Sequence, residues 1–173
     1  MMVLKVHPLH KAIADQLENI LPPHSLVKDE ACGGDQRIPL FYDKEKSRAT
    51  EYCNVDMLVL KENRVRALIE IEESNVKPTQ ICGKFLTSAL AKYYIHENKE
   101  NDPVEMYDHV AFIQIVDASK LKKNSAKPKQ WKALERSIQS VLPLRNSKIT
   151  SYVLLAQDEL DGFAPLLRKM IER

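Results

Sequence analysis

The chain has 173 residues, 44% apolar and 29% charged with only 4 Gly, a profile that excludes disordered, fibrous and low-complexity classes and suits one domain over residues 1–173. A formal net charge of +2 is too small to announce nucleic-acid binding by itself, so such a function has to rest on local charge placement. The first twenty residues lack the apolar core of a signal peptide, and no stretch approaches the ~18 apolar residues of a membrane span, which predicts a cytoplasmic protein.

From Pro8 to Leu21 the apolar residues Leu9, Ile13, Leu17 and Ile20 recur at three- and four-residue steps until Pro22-Pro23, predicting an amphipathic helix. Ser25 to Ala31 reads as a short strand, Cys32-Gly33-Gly34-Asp35 as a turn, and the polar stretch 42–51 as a loop. Tyr52 to Lys61 and Val65 to Glu73 are strand signals separated only by Glu62-Asn63-Arg64, which predicts an antiparallel hairpin. Val76 to Asn98 carries Ile81, Phe85, Ala89 and Tyr93 at steps of four and reads as a long helix, with Tyr93 and Tyr94 packed on the sheet. His109 to Val116 is a run of β-formers, read as a central strand that the crossover makes parallel to its predecessor. A lysine-bearing loop (119–130), a helix with the only Trp (130–141), a strand (149–156) and a closing helix (158–171) complete an α/β order: a mixed β-sheet flanked by helices on both faces.

Strand alternation places Val55, Met57 and Val59 with Val65, Ala67, Ile69 and Ile71 on one face of the hairpin. The other face carries Asp56, Leu58 and Leu60 with Arg66, Leu68, Glu70 and Glu72. Keeping the apolar sets together requires paired residue numbers with an even sum. A three-residue loop that pairs 61 with 65 then sets Asp56 opposite Glu70. Directly opposed carboxylates, with Cβ atoms about 5 Å apart, repel unless neutralised, and a divalent cation is the usual neutraliser. Oxygen donors of this kind suit Mg²⁺ or Mn²⁺, which can polarise a phosphate and activate a water. Spacing alone leaves open that these acids simply face solvent on a half-exposed sheet.

The segment NVDMLVLKENRVRALIEIEESN, residues 54–75, resembles the catalytic hairpin of the PD-(D/E)xK nuclease superfamily, the fold of many type II restriction endonucleases. The order of elements from Pro8 to Val116 is similar to that superfamily's core. The resemblance implies a restriction-endonuclease-like fold and a Mg²⁺-dependent endodeoxyribonuclease. It implies Asp56 and Glu70 as metal ligands, and a homodimer that cuts both strands. Glu72 stands where the family has lysine, as in a minority of restriction endonucleases with Glu-x-Glu, and Asn54 stands in place of the motif's Pro. Glu72 acting as general base, or Lys77 swinging in from the next helix, would compensate. Many members contribute an acid from the first helix to the metal shell. Glu18 is the candidate here, with a surface role as its alternative, while Glu73 points to the other face and reads as structural.

For DNA, Gln80 and Lys84 lie one turn apart on the helix after the site, and Lys120, Lys122, Lys123, Lys127 and Lys129 cluster in one loop; phosphate contacts and plain solvation both fit them. Arg37 and residues 42–51 are candidates for a recognition loop. The histidines His7, His10, His24, His96 and His109 lack zinc-motif spacing, Cys32, Cys53 and Cys82 read as reduced packing thiols, and neither a serine-hydrolase order nor a Gly-rich phosphate loop is present. The rival to an active nuclease is a catalytically inactive nuclease fold that binds DNA or a protein partner, motivated by the missing lysine.

Overall fold

A computed structural model describes residues 7–74 and 76–172. Its elements in chain order are α1 (Pro8–Glu18), β1 (Leu26–Lys28), β2 (Pro39–Phe41), β3 (Glu51–Asn54), β4 (Met57–Lys61), β5 (Arg64–Glu72), α2 (Pro78–Leu90), β6 (Tyr93–Ile95), β7 (Pro103–Val116), α3 (Lys127–Ser140), β8 (Ile149–Ala156) and α4 (Phe163–Glu172). The fold is mixed α/β, built on an open, mostly antiparallel eight-stranded sheet ordered β1-β4-β5-β7-β6-β2-β3, with β8 added to β7. Among the described residues no helix is long and apolar enough to cross a membrane.

The long strand β7 explains this topology. Its first residues pair antiparallel with β6, while Ala111 to Val116 run parallel between β5 and β8. One chain segment thus joins the central sheet to a smaller lobe of β6, β2 and β3. Residues 110–116 are completely buried, as suits a central parallel strand, and the one polar residue among them, Gln114, accepts the Tyr152 hydroxyl on Oε1 at 2.6 Å.

Two apolar layers cover the sheet. On one face Leu58, Leu68, Phe112 and Tyr152 meet Ile81 and Phe85 of α2 and Trp131 and Ile138 of α3. On the other, Met57, Ala67, Ile69 and Ile113 meet Ile13 and Leu17 of α1 and Phe163 and Leu167 of α4. Helices therefore lie on both faces, as the periodicity predicts.

Several boundaries differ from expectation. The strand expected over Tyr52–Lys61 is two strands, since β3 pairs with β2 whereas β4 pairs with β1 and β5, and the chain bends at Val55-Asp56. The helix expected to reach Asn98 ends at Leu90, because Tyr93–Ile95 are strand formers that gain partners in both β2 and β7. The hairpin turn holds two residues, Glu62 and Asn63, both with positive φ (52° and 58°) as a type I′ turn demands. It pairs Lys61 with Arg64, and a bulge at Arg66 then shifts the register so that Met57 meets Ile69. Val55 and Val65, expected beside Met57 and Ala67, consequently pack in the opposite layer.

Arg66 itself, expected on the face of Glu70, turns toward α4. It is 2% exposed and donates to the carbonyls of Met170 (2.7 Å), Ile171 (3.2 Å) and His109. These bonds offset the burial of its charge and occupy carbonyls that the end of α4 leaves without helical partners.

Candidate active site

The site lies where β4 begins and β5 ends. Pairing between the two strands stops at Met57↔Ile69, so the Ile71 N–H finds no backbone acceptor on β4; Asp56 Oδ2 accepts it at 2.7 Å. The bend that frees Asp56 from the strand also turns its side chain into a cap for β5. Extending the register by one step sets Asp56 beside Glu70, close enough for the Asp56 charge to act on the Glu70 carboxyl. The expected pair is therefore in place, reached through a two-residue turn and a bulge instead of a three-residue loop.

Glu70 is 1% exposed, and Lys84 Nζ from α2 lies 3.2 Å from its Oε1. At that distance the gross attraction is about 5 kcal/mol for an effective dielectric near 20, but the like charge of neighbouring Asp56 opposes it and burial penalises ionisation. Burial, then Asp56, push the Glu70 carboxyl well above its ordinary range against the pull of Lys84. The protonated form of Glu70 is favoured accordingly. Burial also raises Glu72, opposed by Lys84. Lys84 keeps its charge: burial works against it, and Glu70, Glu72 and Asp56 together hold it above the usual lysine range.

On the α1 side stands a second set of groups. His10, 7% exposed, places Nδ1 2.8 Å from Glu73 Oε1 and Nε2 3.6 Å from Asp56 Oδ2. Burial lowers its pKa, yet Asp56 and Glu73 outweigh burial and push it up to about 9. Burial likewise opposes ionisation of Asp56, but His10, the neighbouring Glu70 carboxyl and the Ile71 amide win and hold it below the ordinary range. Glu73 is lowered too: slight burial is outweighed by His10 and by His7, whose Nδ1 is 2.9 Å from Oε2. At the end of β1, Asp29 gives its N–H to the Asp56 carbonyl (2.9 Å) and accepts the Cys32 amide on Oδ1 (3.0 Å). Burial, then the Asp56 charge, raise its carboxyl. The following turn needs Gly34, because a Cβ there would stand 1.9 Å from the Lys28 carbonyl oxygen.

The predicted residues thus divide. Asp56, Glu70, Glu72 and Lys84 come together. Glu18 is engaged elsewhere, in an ion pair with Lys28 on β1, and α1 supplies His10 to the cluster instead of an acid. Lys77 is the exposed N-cap of α2, its backbone N–H accepted by Gln80 Oε1 at 2.9 Å, which gives Gln80 a capping role. Lys122 and Lys123 are exposed in the loop before α3, whereas Lys127 and Lys129 belong to the first turn of α3. Arg37 bonds Glu51 (2.5 Å) and Asn54 (3.0 Å) at the start of the bend. Cys32, Cys53 and Cys82 are all free thiols.

His7, His10, Asp29 and Glu73 are the functional candidates that sequence spacing misses. His7 and His10 are three residues apart on one side of a helix start, but their partner Glu73 is more than sixty positions away, and only the fold brings it near. No protein-family model, curated protein or solved structure matches the chain.

Proposed function

We propose that the protein is a Mg²⁺- or Mn²⁺-dependent endodeoxyribonuclease of restriction-endonuclease-like fold, with Asp56, Glu70 and Glu72 as its site. The observation that carries this reading is the meeting of part-buried Asp56 and buried Glu70 at the end of the sheet, with the Lys84 ammonium 3.2 Å from Glu70. The donor chemistry fits a hard cation. Asp56 and Glu70 offer hydrogen-bonded carboxyl oxygens, part-exposed Glu72 keeps one side open, and the proton on Glu70 occupies the place a cation would take. When bound, the cation supplies Lewis-acid polarisation of the phosphate and eases deprotonation of the attacking water.

The chain's own residues do the rest. His10 keeps Asp56 ionised and fixed in direction. Glu70 and Asp56 would hold the cation, which would favour the ionised form of Glu70. Glu72, with its affinity for protons raised by burial, takes the proton of the water as its oxygen attacks phosphorus, and the bond to the 3′ oxygen breaks with that oxygen taking a proton from solvent. Lys84 reaches the cluster from α2 and supplies the positive charge expected from a lysine in the position of Glu72, a role for which Lys77 stands too far out on the helix cap. Lys122 and Lys123 are proposed phosphate contacts, and a homodimer is the proposed unit for cutting both strands.

The second reading, an inactive nuclease fold that binds DNA or a protein, is favoured by one observation: Lys84 and the proton favoured on Glu70 already neutralise the acids without a metal. Incubating supercoiled plasmid with Mg²⁺ or Mn²⁺ separates the two. Wild type nicks or linearises it under the nuclease reading and Asp56→Ala and Glu70→Ala do not. Intact plasmid under both metals, with DNA still retained in a filter-binding assay, supports the inactive fold.

A further inference from the structure

Of the groups on the α1 side, the chemistry proposed above uses only the His10 ring nitrogen that faces Asp56; His7, Glu73 and the other His10 nitrogen have no part in it. One ring nitrogen each from His7 and His10 and a Glu73 carboxylate oxygen lie within 4.8 Å of one another. Glu73 spans the two rings, Oε2 toward His7 at 2.9 Å and Oε1 toward His10 at 2.8 Å. In a tetrahedral shell with bonds of about 2.0–2.1 Å, neighbouring ligand atoms stand roughly 3.4 Å apart, so a set that lies within 4.8 Å closes by up to about 1.4 Å through side-chain rotation to become a coordination shell.

We propose that His7, His10 and Glu73 form a binding site for a zinc-class divalent cation, separate from the Asp56–Glu70–Glu72 carboxylates. Two imidazoles and one carboxylate select Zn²⁺ or Co²⁺ over Mg²⁺, which prefers an all-oxygen octahedral shell. The scaffold is firm: His7 and Pro8 begin α1, His10 lies in its first turn, and Glu73 directly follows β5, whose residues from Val65 to Ile71 are all buried. The remaining ring nitrogen of His10 faces Asp56 Oδ2 at 3.6 Å, the carboxylate–imidazole–metal arrangement that orients metal-binding histidines. The His7 and Glu73 side chains are 42% and 24% exposed, so water or a ligand has access to the open coordination positions. A groove of about 400 Å³ lined by Pro8, Ala12, Glu73, Asp117 and Lys120 leads to it. A cation here holds the His10 ring with its outer N–H toward Asp56, which links this site to the neighbouring carboxylates by position.

The site stands or falls on metal binding, independently of DNA cleavage. Untagged full-length protein, freed of metal by chelator treatment, is titrated with Zn²⁺ by calorimetry, and with Co²⁺ followed by its visible d–d absorption. The expected result is one Zn²⁺ bound per chain with Kd below about 10 µM, not displaced by millimolar Mg²⁺. His7→Ala and Glu73→Gln each weaken binding at least about tenfold and abolish the Co²⁺ band, while Glu72→Gln leaves both near wild type. His7→Ala removes a half-exposed side chain at a helix start and provides a folded variant even if Glu73→Gln destabilises the chain. Absence of binding tighter than about 100 µM, equal affinity in His7→Ala, or loss of binding in Glu72→Gln overturns the proposal.

Discussion

Glu70→Gln tests the electrostatics of the site without any substrate. In the wild type Glu70 is 1% exposed and its carboxyl is raised by burial and by Asp56, so the folded state retains a proton that the unfolded chain releases above the ordinary value of 4.5. As pH rises beyond 4.5, the fold therefore binds more protons than the unfolded chain. Its stability falls by about 1.4 kcal/mol per pH unit for one such group until the folded-state pKa is reached. Gln keeps the shape, donates a neutral N–H to Asp56, accepts from Lys84, and has no proton to lose. The measurement is urea denaturation in EDTA at intervals between pH 4.5 and 6.5, a window that ends at the ordinary histidine value, where the His10 contribution only begins to change and does so in both proteins. Glu72 and Asp29 are raised by causes that do not run through Glu70, so their effects cancel between the two proteins. The expected outcome is a stability difference that moves in favour of Glu70→Gln as pH rises, approaching that slope. Parallel curves would refute the argument, because they mean that Glu70 ionises in the fold as it does in water.

Three further outcomes follow from the same structure. Arg66→Met should lose about 3 kcal/mol in urea denaturation, since it removes charged donors from three backbone carbonyls at a buried position, and a loss under about 1 kcal/mol contradicts the role assigned to the bulge. His10 should titrate at about 9 in NMR spectra of metal-free protein and move down in Asp56→Asn; its contribution to stability is complete below 6.5 and disappears as pH rises through 9. Replacing both Lys122 and Lys123 by Ala should weaken DNA binding in Ca²⁺ and reduce the slope of log K against log salt by about two, and an unchanged slope removes this loop from the interface.

The parts of the fold that were legible from sequence are those with sustained periodicity: α1, the β4–β5 hairpin, the buried half of β7, β8 and α4. Strands β2, β3 and β6 were not, because Pro39–Phe41, Glu51–Asn54 and Tyr93–Ile95 are too short to show a period and exist through pairings between segments distant in sequence. Tyr93 also continued the four-residue spacing of α2 by coincidence, and strand pairing overrode it. At the hairpin the even register held near the site for a reason that alternation does not contain: the tip is one residue shorter than expected, and the bulge at Arg66 compensates. The acids were visible because a face-sharing pattern of carboxylates in apolar strands is conspicuous. From sequence Lys84 reads as a DNA contact, because its helical position fixes a face but not how far the ammonium reaches. Glu73 reads as structural, because its partners His7 and His10 lie at the start of α1 and no local rule pairs a helix start with the end of a distant strand.

The central claim is that the Asp56–Glu70–Glu72 cluster hydrolyses DNA phosphodiester bonds with Lys84 in attendance. Its most direct test is the rate at which supercoiled plasmid is nicked or linearised in Mg²⁺, for wild type beside Asp56→Asn and Lys84→Met. The account predicts metal-dependent cleavage by the wild type, none in EDTA, none by Asp56→Asn, and a rate at least about tenfold lower for Lys84→Met. Wild-type protein that leaves the plasmid intact in both Mg²⁺ and Mn²⁺, or an Asp56→Asn variant that cuts as fast as wild type, would contradict it.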